Sequence, residues 1–193
     1  MYQLYLDTTN EKLTVLILQD NKMLLSSSFN AWQKQTELAI STITDLLEKC
    51  EIKLKDIAKV VIANGPGSYT GIRVAITFVK TLKVLNHFLT VFTINSLLLQ
   101  VGLMRSVSIL PAYNNKSYLA VCDKGKIIIQ PQLVDENAKI GIINDLLDYK
   151  VIENFQQSNI IENFQKLSPY FTKVKKIEDL QPYYINDPFS SHN

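Results

Sequence analysis

The chain has 193 residues, 47% of them hydrophobic and 20% charged, with a formal net charge of +2. That balance excludes a disordered chain, which lacks the apolar surface to offset the entropy of ordering, and a strongly basic nucleic-acid surface. Cys50 and Cys122 match no metal or redox spacing, apolar runs stop short of the roughly 18 residues of a membrane span, and no signal peptide opens the chain, so a cytoplasmic protein with reduced thiols and no membrane contact is expected.

In chain order, Gln3 to Thr8, Lys12 to Leu18 and Met23 to Phe29 read as three short strands, separated by turns at Asn10–Glu11 and at Asp20-Asn21-Lys22. From Gln33 to Lys49 the apolar residues Leu38, Ile43, Leu46 and Leu47 recur with helical period. A strand at Lys59 to Asn64 leads through a loop, Gly65 to Thr70, into a long helix from Gly71 to Asn86. Leu89 to Thr93 reads as a strand, and Ser96 to Met104 as a helix capped by Asn95 or Ser96.

The second half then starts over. Val107 to Tyr113, Ser117 to Cys122 and Lys126 to Gln130 repeat the three-strand pattern, followed by a helix at Asn137 to Asp148. Shifting the chain by 104 positions sets Leu6 onward beneath Leu110 onward without a gap, strand over strand and turn over turn. The expected fold is therefore α/β and two-lobed, a duplication of βββαβα units as in actin-like and sugar-kinase-like proteins, with a divergent second half. The lobes are placed at residues 1–105 and 106–193. The pentapeptide IENFQ occurs at Ile152 and again at Ile161, too short to mark a repeat.

Three of the six glycines fall in one strand-to-helix window, Gly65-Pro66-Gly67-Ser68-Tyr69-Thr70-Gly71-Ile72-Arg73. Glycine permits positive φ and close backbone approach, Ser68 or Thr70 can cap the helix, and its free N–H groups can receive an anion. A P-loop needs Lys and then Ser or Thr after its last glycine, where Ile72 and Arg73 stand. A dinucleotide fingerprint needs tighter glycine spacing and an acid about 20 residues on, and Thr90 to Asn95 supplies none.

The window resembles the signature of the TsaB (YeaZ) family of tRNA threonylcarbamoyladenosine biosynthesis subunits at every position from Gly65 to Arg73. The opening YLDTTNEKLTVLIL is similar to that family's first hairpin, and LQPYYI to its terminal Pro-x-Tyr-Leu. Pro111 stands where the family has Asp, Tyr113 where it has Arg and Gln35 where it has His, and the basic tail after Pro-x-Tyr is missing. The resemblance implies an ASKHA (ribonuclease-H-like) fold. It also implies a non-catalytic scaffold that dimerises with a TsaD-type enzyme and supports threonylcarbamoyl transfer onto the tRNA adenosine next to the anticodon. A TsaE-like ATPase in a larger complex and a homodimer through the same helices are further implied partners. ATP, magnesium and a metal ion would belong to those other enzymes, and tRNA would be the substrate of the complex.

The residues themselves fit a partner better than an enzyme. Actin-fold phosphotransferases hold magnesium with acids on both hairpins, but here Asp7 has no counterpart between Leu110 and Val121. Asp7 reads as a cap of the Thr8–Thr9 turn, or as the remnant of a phosphate or metal site. The only histidines, His87 and His192, are far from the i, i+4 spacing of a helical metal pair. A small actin-fold ATP-binding kinase or ATPase is the alternative function, and a metallopeptidase the weakest. The long helix is apolar around most of its circumference, which calls for burial on more than one side. Leu38 on the first helix and Ile72, Ala75, Ile76, Val79 and Leu82 on the second are the expected interface.

Overall fold

The structure, a computed structural model, describes residues 1–31, 34–156 and 158–185. Three hairpin strands, β1 (Tyr2–Asp7), β2 (Lys12–Gln19) and β3 (Lys22–Asn30), are followed by α1 (Gln35–Lys49), β4 (Ile57–Ala63), α2 (Tyr69–Leu85), β5 (Thr90–Ile94) and α3 (Ser96–Val101). The second series is β6 (Ser106–Pro111), β7 (Ser117–Asp123), β8 (Lys126–Val134), α4 (Glu136–Asp145), β9 (Lys150–Glu153) and α5 (Ile160–Lys166), closed by β10 (Thr172–Lys173). Gln33, the expected first residue of the first helix, and His192 lie outside the described residues. No described helix is long and apolar enough to cross a membrane.

The expected duplication is present. The first sheet runs β10-β5-β4-β1-β2-β3 and the second β8-β7-β6-β9. In each, three antiparallel hairpin strands are joined by a parallel neighbour on the free side of the first strand. β1 and β3 map onto β6 and β8 at the 104-residue offset, end for end, and β2 onto β7 within one residue. The turns repeat as well. Asp20 and Asn21 have φ of 49° and 66°, and Lys124 and Gly125, at the same offset, 49° and 77°. Positive φ at both central residues is what a two-residue turn needs to match strand twist.

Central strands are buried on both faces, which sorts their residues by parity. Leu13, Val15 and Ile17 join α1 and α2 in one core, and Leu16 and Leu18 face α3, α5 and the second sheet in another. A third core lies between the far face of the second sheet and α4. Gln100 bolts α3 to the second sheet: its buried Nε2 donates to Ser108 Oγ at 2.7 Å and to the Ile109 and Ile152 carbonyls at 3.1 Å, and its Oε1 accepts from Phe155 N at 2.5 Å.

The second half is the divergent one. α4 has no fully buried residue, and among the described residues the second sheet has no strand in the place that β5 takes in the first. Residues 172–180, grouped by sequence with the second lobe, return to the first. β10 pairs with β5, Val174 N donates to Val91 O at 2.9 Å, and Leu180 is buried in the first core.

Candidate functional site

Three segments converge at the glycine window: the β1–β2 turn, the loop from β4 into α2, and the chain's last described residues. Asp7 closes β1 and is fully buried. Its Oδ1 accepts from Thr9 N at 2.8 Å and Thr9 Oγ1 at 2.7 Å, and its Oδ2 from Asn10 Nδ2 at 2.7 Å. Burial raises its pKa to about 6, against these three donors, which favour the ionised form. The carboxylate is thus spent on the turn, the capping role read from sequence. Pro111, at the matching end of β6, is exposed. Among the described residues no cluster of three or more His, Cys, Asp or Glu is placed to hold a metal ion. Gln35 is buried, and its Nε2 donates to Asn10 O at 2.9 Å.

The loop glycines exist for close approach to that turn. A Cβ on Gly67 would stand 2.2 Å from Thr9 O, and one on Gly71 1.8 Å from Thr8 O. Ser68 N donates to Thr9 O at 2.7 Å, Thr8 Oγ1 to Gly71 O at 2.7 Å, and the Ser68 side chain caps α2 by accepting from Gly71 N at 3.2 Å. The Gly65–Pro66 peptide is cis. An anion, which a free helix N-terminus can in general receive, finds no room beside Gly67 and Gly71. The space that glycine opens is filled by the chain's own carbonyl oxygens, which repel an anion.

The terminal Tyr183–Tyr184 straps this assembly. Tyr183 N donates to Asn64 O at 2.8 Å, and a Cβ on Gly65 would meet Tyr183 O at 2.8 Å. The Tyr184 ring stacks on Tyr69 (centroids 5.5 Å apart, planes at 17°), while the Arg73 guanidinium lies 3.9 Å from the Tyr69 centroid and its Nε donates to Tyr184 OH at 3.2 Å. That bond above all holds the exposed Arg73 still more firmly protonated. Sequence reasoning missed this clamp, although an Arg four residues after a Tyr on a helix was a signal that the two side chains share a face.

Two open spaces flank the clamp. One is a cleft of about 560 Å³ between the lobes, walled by Thr9, Asn10, Tyr69, Tyr113, Tyr118 and Tyr184. The other is a shallow groove of about 620 Å³ between α1 and α2, lined by Thr36, Ile40, Arg73, Val74, Thr77 and Phe78 among others.

The expected interface residues are elsewhere. Ile72, Ala75, Ile76, Val79 and Leu82 are all buried in the first core, and Leu38 is half-buried against it. Spaced i, i+3, i+4, i+7 and i+10, the five residues of α2 form the stripe that faces the sheet. The outward side of α2 carries Arg73, Thr77 and Thr81, with Val74 and Phe78 half-buried beside Ile40 of α1.

The profile of the family described as "TsaD: tRNA N6-adenosine threonylcarbamoyltransferase" matches residues 30–107, the first lobe from the end of β3 into β6. The chain is 26% identical to the uncharacterized protein MG208 of Mycoplasma genitalium over 193 residues, covering 97% of this chain and 96% of that one. It is 33% identical over 79 residues to the Bacillus subtilis tRNA threonylcarbamoyladenosine biosynthesis protein TsaB, covering 41% of this chain and 34% of that protein. Among solved structures, an uncharacterized Pseudomonas aeruginosa protein with similarity to peptidase YeaZ superposes with a TM-score of 0.72 at 16% identity, covering 95% of this chain and 99% of that one. YeaZ from the same organism gives 0.68 at 16% identity over the same shares.

Proposed function

We propose that this chain, a member of the TsaB (YeaZ) family, is a non-catalytic subunit of the machinery that installs threonylcarbamoyladenosine in tRNA. In this reading it docks on a TsaD-type enzyme and supports threonylcarbamoyl transfer onto the adenosine next to the anticodon. The partner enzymes, a TsaE-like ATPase among them, supply ATP, magnesium and any metal ion. The carrying observation is the α1–α2 groove, where Ile40, Val74 and Phe78 remain accessible among exposed threonines. A helix pair that leaves an apolar seam open suits a second helix pair, from the enzyme or from another copy of this chain, in a four-helix contact.

The kinase alternative draws less support. Asp7 is buried and held by three hydrogen bonds from its own turn, and no carboxylate stands at Pro111. The decisive experiment is size-exclusion chromatography of the purified chain with its cognate TsaD. A co-eluting complex at micromolar concentrations is expected. Two separate peaks would overturn the reading.

A further inference from the structure

We propose that the cleft between the lobes is a binding site for an uncharged planar ring compound of nucleoside size, and that it rejects polyphosphates. At about 560 Å³ its volume lies within the few hundred to a thousand Å³ typical of small-molecule sites. It is formed where two related hairpins meet. The β1–β2 turn contributes Thr9 to Glu11 and the β6–β7 connection Leu110 to Tyr113, so neither lobe makes the site alone.

The walls are aromatic from both sides. Tyr69 and Tyr184 form a stacked pair on the first lobe. Tyr113 and Tyr118 face them from the second, and among the described residues neither of these two rings stacks on another aromatic. Tyr113 is 44% exposed, so its ring is open to a ligand. The Ser68 hydroxyl and the Asn154 amide add neutral hydrogen-bonding groups at the margins, which suits the edge of a heterocycle or a ribose, while the Asn10 amide is held by Asp7 and Lys12 N.

The charge pattern sets the class. Among the described residues no lysine, arginine or histidine lines the cleft, and Glu11 is the one carboxylate that does. The nearby Arg73 is engaged with Tyr69 and Tyr184. The α2 N-terminus, the other source of positive potential, is packed against the Thr8 and Thr9 carbonyls. A chain of phosphates would meet Glu11 and carbonyl oxygens with no cation to offset them. A neutral ring meets tyrosine faces and apolar groups such as Leu110 and Ile185, and brings no charge that needs a counterion.

The test is titration calorimetry and saturation-transfer NMR on the full chain with adenosine, guanosine and cytidine, and then with AMP and magnesium-ATP. At least one nucleoside is expected to bind below 1 mM, with its affinity falling several-fold from nucleoside to monophosphate and no detectable binding of magnesium-ATP. Tyr113→Ala should weaken the nucleoside at least tenfold with an unchanged melting temperature, because that ring is exposed. Asn154→Ala is the second variant, expected to weaken binding several-fold. Failure of all three nucleosides to bind at 1 mM, tighter binding of ATP than of its nucleoside, or undiminished binding by Tyr113→Ala would each overturn the proposal. The experiment uses no partner protein, so its result is independent of the docking reading.

Discussion

At Gly71 an added methyl group would stand 1.8 Å from the Thr8 carbonyl oxygen, a contact between two backbones that no side-chain rotation relieves. Gly71→Ala must part the loop from the β1–β2 turn, breaking the Thr8 Oγ1 bond to Gly71 O and displacing the start of α2. A loss of about 3 kcal/mol or more in unfolding free energy is expected, read by urea denaturation. Gly141, where an added Cβ meets nothing within 4 Å, is the control, and Gly141→Ala should be neutral or mildly stabilising. Asp7 gives a pH prediction. Its pKa is raised from 3.8 to about 6, so the native state holds a proton that the unfolded chain has released between those values. The contribution of this group therefore falls as pH rises through that window, by on the order of 3 kcal/mol at most, and is level above it. Asp7→Asn should flatten the rise of melting temperature on acidification from pH 6 to pH 4. An unchanged slope would assign that dependence to other groups.

At the scale of elements, α2 decides between folding and docking by face. Val79 is fully buried between helix and sheet, so Val79→Asp strands a charge in the core and should cost about 4 kcal/mol, read as a collapse of the melting temperature. Thr77, two residues away, is exposed on the floor of the α1–α2 groove. Thr77→Glu should leave stability within about 0.5 kcal/mol and abolish co-elution with the TsaD-type enzyme. A folded Thr77→Glu protein that still binds would move the interface off this groove.

For the whole molecule, the two lobes are not separable pieces of chain. α3 is bolted to the second sheet through Gln100, and residues 172–180 cross back to extend the first sheet and its core. Thermal unfolding should therefore be one transition by far-ultraviolet circular dichroism and by tyrosine fluorescence alike. A fragment of residues 1–105 should fail to fold stably, since it loses β10, Leu180 and the partners of α3. A cooperative transition in that fragment would show the lobe to be autonomous.

Local chemistry was enough to read the hairpins, the turns and the Asp7 cap, because each rests on contacts between residues close in the chain or on a pattern of period two. The duplication followed from that same pattern recurring 104 residues on. The glycine window was visible by composition, but its reason, the close approach of Thr8 and Thr9, was not. The short late elements were not legible in that way. IENFQ makes the point within this one chain: at 152–156 it is the end of β9 and a turn, and at 161–165 it lies within α5. In both places its Phe is buried in the same core, Phe155 and Phe164, so the demand for burial is common and the backbone conformation is set by what surrounds it. The same limit governed α2. Its sequence announced a helix apolar beyond one stripe, but which apolar residues met the sheet and which stayed open was decided by where β4, β5 and α1 lay. The cleft was beyond reach for the same reason. Its walls come from residues over a hundred positions apart, and only the packing of one lobe on the other brings their rings together.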